Sequence, residues 1–288
     1  MLRRSLQLLP GIGDKRERML WRDGIHDWES YLAAPSVRGV SGELKRTHEP
    51  VVQQAIAARA GNDLGALAAL VPRREHWRFF VSDVRRPGYL DIETTGVDPR
   101  STVTVVGILD GAGGKFHQLV QGRDLDHERL ADILGGFDAI VTFNGTGFDV
   151  PVLRNHFPKA VPDIPHLDLR GALARLGYRG GLKRIEAELG FARPEDVVGV
   201  DGYEAVLLWR RWQLRRDEAA LRRLLAYNEE DVVNMEGIAK MVTPALHNGL
   251  CSYWGGAYLP VPFPRGRPSR MPEAFASILA APSQARLV

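Results

Sequence analysis

Residues 88–96 read GYLDIETTG, a short β-type run that closes on a Thr-Thr-Gly turn and carries two carboxylates, Asp91 and Glu93, two positions apart. Strand side chains alternate between faces, so Asp91 and Glu93 share one face while Ile92 points into the opposite layer. Two neighbouring anions repel. Burial in an apolar strand either raises their pKa values or requires a cation between them, and an all-oxygen donor set suits Mg²⁺ or Mn²⁺. Taken alone, Asp-x-Glu before a turn is more often a pair of carboxylates hydrogen-bonded to turn amides.

Outward from this strand the β pattern continues through TVTVVGIL (102–109) and KFHQLV (115–120), with Gly/Asp turns between, which predicts three consecutive antiparallel strands. A helical run at 125–134, a strand AIVTF at 139–143, a helix from about 147 to 157 and a short strand-like IPHLDL at 164–169 follow. Helices are then expected at roughly 169–177, 181–189, 202–214, 217–225 and 226–240, the last two nearly continuous. The order βββαβαβ followed by helices predicts an α/β fold, a mixed five-stranded sheet flanked by helices that bury both of its faces.

Two further stretches carry chemistry. TFNGTGFDVPVL (142–153) runs from a strand end at Asn144-Gly145 into a helix with Asp149 in its first turn, where Pro151 is tolerated. YNEEDVVNM (227–235) sets Tyr227 and Asp231 at i and i+4, one above the other on a helix face. A phenol above a carboxylate can orient a water while the carboxylate holds a metal. Each stretch alone has a structural explanation, Asp149 as a first-turn acid favoured by the helix dipole and Tyr227–Asp231 as a surface hydrogen bond.

Their joint occurrence in this order carries more weight. LDIETTG, TFNGTGFDVPVL and YNEEDVVNM resemble the three exonuclease motifs of the DEDD superfamily in its tyrosine-containing (DEDDy) branch, which has the ribonuclease-H-like fold. The chain is similar to the proofreading domain of family B DNA polymerases and, nearer still, to the YprB-like exonucleases. That last similarity also takes in HWRFF (76–80), the HLDL stretch, GLKRIEAELGF (181–191) and DGYEAVLLWRRW (201–212), and so covers roughly residues 75–240. The resemblance implies Asp91, Glu93, Asp149 and Asp231 as four metal-binding carboxylates, Tyr227 as the residue orienting the attacking water, and two Mg²⁺ or Mn²⁺ ions as cofactors. The implied activity is 3′→5′ exonucleolytic hydrolysis of nucleic acid at a single-stranded 3′ end, with DNA favoured and RNA possible. Lys183 and Arg184 are candidates to meet charge on the scissile phosphate, against a simpler role on a solvated helix face.

Thr94 is a candidate contact to the terminal nucleotide, with turn formation as the alternative, and Asn144 a candidate contact to a single-stranded backbone, although Asn-Gly is also a turn signal. His166 and Asp168 stand at period two on a short strand; with the four-carboxylate set complete, a supporting role is expected. At the N-terminus, LLPGIGDKRERMLWRDGI (8–25) resembles a helix-hairpin-helix element with Gly11-Ile12-Gly13 as its hairpin and Lys15, Arg16 and Arg18 close by. Such a hairpin presents backbone amides to a nucleic-acid phosphate without reading sequence.

The expected organisation is a helical region over 1–72, with the hairpin element at about 7–32, a ribonuclease-H-like domain over 75–243, and a proline-rich, mostly irregular tail over 244–288. The chain has 288 residues, 44% apolar and 25% charged, a balance that excludes disordered and fibrous classes. Its apolar runs fall short of the ~18–20 residues that cross a bilayer, and a cytoplasmic protein without a membrane partner is expected. Cys251 is the only cysteine, which excludes an intrachain disulfide and a cysteine zinc cage. Net charge is only +3, yet arginines come in pairs, including Arg73-Arg74, Arg85-Arg86 and Arg210-Arg211, a side chain whose planar fork suits phosphate. Two rival readings remain at this level: a structure-specific endonuclease with the same site, and a non-catalytic nucleic-acid-binding scaffold on a nuclease-derived fold. Protein partners, oligomeric state and the choice between DNA and RNA have no motif that specifies them.

Overall fold

The computed structural model describes residues 1–96, 98, 100–195 and 197–260. Five strands form one sheet: β1 (Pro87–Thr94), β2 (Val103–Asp110), β3 (Phe116–Val120), β4 (Ala139–Thr142) and β5 (His166–Asp168), in the spatial order β3-β2-β1-β4-β5. The first three are antiparallel neighbours, with Asp91 opposite Gly107 and Ile92 opposite Val106, and β4 and β5 add parallel to β1. This is the mixed sheet expected from the βββαβαβ order. The ends of β1, β4 and β5 therefore open on one side of the sheet, where ligands of α/β proteins bind.

Eleven α-helices surround it among the described residues: α1 (Asp14–Arg22), α2 (Trp28–Ala33), α3 (Gly42–Ala60), α4 (Leu64–Leu70), α5 (Phe79–Ser82), α6 (His127–Gly135), α7 (Asp149–His156), α8 (Leu169–Arg175), α9 (Leu182–Glu188), α10 (Gly202–Arg215) and α11 (Glu218–Cys251). The alternation of β1 sorts the core. Leu90 and Ile92 join Val106, Ile108, Leu130 and Leu153 beneath α6 and α7. On the other face Tyr89, Leu109, Val141 and Leu167 pack with α8, α11 and the N-terminal helices in one continuous cluster. A third cluster sets Val105 and Val120 against Trp209 and Trp212 of α10 and Leu224 of α11.

Within the helical region, α3 and α4 are divided at Gly61-Asn62, where Asn62 adopts a left-handed φ of 52° and the Asp63 carboxylate caps α4 by accepting from the Ala66 N–H at 2.8 Å. Two features depart from the sequence expectation. The two helices read over 217–240 are one, α11, which continues through Pro244 to Cys251. Helical structure thus extends eight residues into the stretch read as an irregular tail, because Ala245, Leu246 and Leu250 are buried in the cluster shared with the N-terminal helices. That burial outweighs the backbone hydrogen bond which Pro244 cannot donate. The remainder of that stretch beyond residue 260 lies outside the described residues. At the N-terminus, where the helix-hairpin-helix resemblance implies a helix on either side of Gly11-Ile12-Gly13, α1 follows the hairpin but the chain before Gly11 forms a 3-10 turn at Leu2–Arg4 and further turns instead of an α-helix. Among the described residues no helix is long and apolar enough to cross a membrane.

Candidate active site

β1 sends Asp91 and Glu93 to the face covered by α11, and α11 returns Asp231 to the same point. One carboxylate oxygen from each of the three lies within 4.8 Å of the others. Glu93 and Asp231 are only 7% and 6% exposed, and Asp91 is partly buried. Burial, and then the charge of Asp231 and Asp149, holds the Asp91 and Glu93 carboxyls well above the usual carboxylate range. Asp149 reaches the cluster from α7. Its carboxylate accepts a hydrogen bond from the Ile92 N–H at 3.2 Å, on the backbone between the two strand acids, outside the group of three that converge within 4.8 Å. Burial pushes its pKa up to about 7.

Tyr227 lies one turn before Asp231, as the i, i+4 spacing predicts, and its hydroxyl donates to the Asp231 carboxylate. Burial, followed by the charges of Asp231 and Glu93, raises the phenol well above its ordinary range.

Four residues that the sequence reading did not assign complete the site. Asn228, fully buried, donates from Nδ2 to the Asp91 carboxylate at 3.0 Å, while its Oδ1 accepts from Gln118 Nε2 at 3.2 Å. Gly107, the residue paired with Asp91 across the ladder, makes room for this contact, since a Cβ there would lie 2.2 Å from Asn228 Oδ1. A glycine inside the run TVTVVGIL, whose other residues up to Ile108 are all β-branched, signals such a close approach. The fourth is Arg193, in the segment after α9, whose guanidinium bridges Asp231 and Glu186, the latter at 2.6 Å. No periodicity marks a lone arginine in a connecting segment.

Lys183, weighed between a site role and a solvated face, is half-buried with its ammonium 4.4 Å from the Tyr227 ring centroid, and it donates to the Val200 carbonyl. Burial lowers its pKa. Arg184 is exposed.

The weaker candidates fall around the rim. Thr94 follows a bulge at the end of β1, and its hydroxyl donates to the Gly96 carbonyl, the turn-forming alternative. Asn144 adopts a left-handed φ of 65° at the end of β4; its N–H donates to Asp168 at 2.8 Å and its side-chain oxygen accepts from Arg170 at 2.7 Å. Asp168 accepts also from the Thr146 and Arg170 amides, so it ties the Asn144 turn to the start of α8. His166 pairs with the Thr142 hydroxyl at 2.8 Å, and burial holds its pKa down at about 4. Gly11, Gly13 and Lys15 stand apart at the N-terminal hairpin. There Gly11 has a left-handed φ of 76°, Gly13 is the extended residue just before α1, and Lys15 is exposed.

No protein of curated function matches the chain. Among solved structures it is similar to the family B DNA polymerase from the hyperthermophilic archaeon Pyrobaculum calidifontis, at 20% identity and a TM-score of 0.45, over 60% of this chain and 27% of that one. The chain therefore spans about a quarter of that polymerase's length. The family model of the RNase_H superfamily matches residues 88–243, which take in all five strands but the first residue of β1 and every acid of the cluster. With more than half of its 288 residues inside that match, and with the sheet order and acidic site described above, the chain belongs to the RNase_H superfamily.

Proposed function

We propose that this protein is a metal-dependent nuclease that removes nucleotides from the 3′ end of a single strand, with DNA favoured over RNA. The observation that carries the reading is the convergence of buried and partly buried carboxylates from two distant parts of the chain, Asp91 and Glu93 on β1 and Asp231 on α11, within 4.8 Å. The donor set consists of oxygens, and like charges held this close in a buried site are relieved by a hard divalent cation. The residues therefore fit Mg²⁺ or Mn²⁺, with Asp91, Glu93, Asp149 and Asp231 as the side chains that would hold two ions. Such ions supply positive charge to the phosphoryl oxygens and acidify the attacking water.

The chain's own groups set the geometry. Asn228 fixes the rotamer of Asp91 through its Nδ2 donor. The Tyr227 hydroxyl, kept protonated by burial and donating to Asp231, has an oxygen that accepts a hydrogen bond from a water and so orients it at the cluster. Lys183 beside the Tyr227 ring brings a cation to the edge where a phosphate enters. Thr94 and Asn144 are proposed as contacts to the terminal nucleotide and the strand behind it. The Gly11–Gly13 hairpin with Lys15 is proposed as a phosphate grip within the helical region 1–72, and residues 75–243 as the nuclease unit.

The test is digestion of 5′-labelled single- and double-stranded DNA and RNA oligonucleotides in Mg²⁺, Mn²⁺ or chelator, by the wild type and by Asp91→Ala/Glu93→Ala. The expected result is a ladder shortening from the 3′ end, abolished by chelator and reduced by more than about 100-fold in the variant, the scale at which charge stabilisation at such a centre is lost. Internal fragments would replace the exonuclease by an endonuclease. Absence of cleavage with binding retained would overturn the enzyme reading.

A further inference from the structure

Two depressions on the surface meet at one arginine. The first, a cavity of about 560 Å³ between α8, the end of β5 and the Arg73–Arg78 turn, is lined by Arg73, Arg74, Arg170, Arg175, Trp77 and Thr146. The second, about 420 Å³, is lined by the stretch from Gln7 to Gly13 and again by Arg74.

The charges in the first cavity are not used up by the fold. Arg175 is committed to Glu75 at 2.9 Å. Arg74 donates to the neutral Gln7 side chain at 2.9 Å and makes only a long ion pair, at 3.9 Å, with Glu75, which is already held by Arg78 and Arg175. Arg170 is held by the neutral Asn144 side chain, and Arg73 has no carboxylate within ion-pair distance among the described residues. Asp168 also lines the cavity, but its two oxygens accept from the backbone amides of Asn144, Thr146 and Arg170. Arg73, Arg74 and Arg170 are exposed, so three guanidinium forks stand at the mouth, hydrogen-bonded at most to neutral amides, in an arrangement suited to phosphate.

The cavity's position relative to the acids follows from topology. β1, β4 and β5 are parallel, and so Asp91 and Glu93 near the end of β1 and the cavity at the end of β5 lie on the same side of the sheet. Two strand spacings separate them, roughly 10 Å in the plane of the sheet. Arg170 and Thr146 join the cavity to the turn that leads into Asp149, and Arg74 joins it to the hairpin.

We propose that the arginine cavity at the end of β5 binds the phosphodiester backbone of the substrate strand on its way from the acidic site to the Gly11–Gly13 hairpin. The inference rests on the nuclease reading for the identity of the strand. Its test is therefore one of binding, independent of whether cleavage occurs.

The experiment is fluorescence anisotropy of a labelled 20-nucleotide single strand with the full chain in chelator, over a series of salt concentrations. It compares wild type, Arg73→Ala/Arg170→Ala, and the control pair Arg210→Ala/Arg215→Ala, which removes equal charge from exposed positions of α10, packed at the β2–β3 side of the sheet. Loss of two phosphate contacts should weaken binding about tenfold and lower the slope of log Kd against log salt by about 1 to 1.5, with thermal melting unchanged and the control pair near wild type. Arg73→Lys/Arg170→Lys should recover part of the affinity. Unchanged affinity and slope, or an equal loss in the control pair, would overturn the proposal. So would displacement of the strand by millimolar inorganic phosphate, which would make the cavity a small-anion site. A protein that binds in this way but cuts no nucleic acid would retain the strand track and lose the nuclease reading.

Discussion

Asp149 is 4% exposed, and burial pushes its carboxyl from an ordinary 3.8 up to about 7. The folded protein therefore holds a proton there that the unfolded chain gives up, and the stabilisation linked to this site is complete below about pH 4 and lost as pH rises through 7. His166 runs the other way, held down at about 4, so it adds stability as pH rises over much of the same range. The Asp149 contribution is isolated by comparison with Asp149→Asn. In metal-free buffer the variant should gain on the wild type as pH goes from 4 to 8, by a few kcal/mol at most, measured by urea denaturation at each pH. Parallel curves for the two proteins would show that the site does not titrate in this way. Mn²⁺ at pH 8 should then raise the melting temperature of the wild type more than that of the variant, which keeps Asp91, Glu93 and Asp231 but lacks the fourth carboxylate. The acids themselves were legible because strand period and helix period each put them on a definite face. Asn228, Gly107 and Arg193 were not, because what they do depends on which elements come to lie against each other. Asn228 matters only where β2 offers a gap, and Gly107 only because Asn228 fills it.

At the scale of elements, the turn Arg73–Arg78 is the joint between the helices and the sheet. Arg78 is fully buried. It pairs with Glu17 of α1 at 2.6 Å and with Glu75 at 2.6 Å, while Trp21 and Trp77 cover its guanidinium at 5.7 Å and 5.5 Å. Glu75 passes the link on to Arg175 of α8 at 2.9 Å. Arg78→Ala would leave two buried carboxylates short of their cation and should cost about 3–5 kcal/mol. Arg59→Ala, which breaks the more exposed pair with Asp83, should cost less than about 1 kcal/mol. Urea titration of both variants checks the contrast, and similar losses in the two would refute it. The order of strands and most helices followed from local pattern. The course of α11 did not, since a reader of sequence ends a helix near Pro244, whereas the buried face of Ala245, Leu246 and Leu250 keeps it going. Tertiary burial, absent from any local window, decided that boundary, just as the left-handed Asn62 decided the break between α3 and α4.

Over the whole molecule the helical region and the ribonuclease-H-like sheet share an interior. Leu2, Leu6, Leu9, Trp21, Trp28 and Tyr31 lie in the same cluster as Val141, Leu167, Leu173 and Ile238, and Trp254, beyond the end of α11, meets Trp21 edge-on at 4.9 Å. A chain trimmed to residues 75–243 should accordingly fail to give a cooperative melt, because it exposes the sheet face that these residues cover. A sharp unfolding transition and dispersed amide NMR signals for that fragment would show instead that the ribonuclease-H-like part stands alone. Composition and motif spacing made the two regions look separable, since each has its own pattern and a proline lies between them at 72. What ties them, Arg78 with its glutamates and the tryptophan pair, is spread over the chain and appears in no single stretch. This has a consequence for descent. A recombination crossover near residue 72 that brought in an unrelated helical region would lose the Glu17–Arg78 pair and the packing of Leu2, Leu6 and Trp21 in the cluster they share with the sheet, so only a chimera that exchanges both regions together is expected to keep its stability.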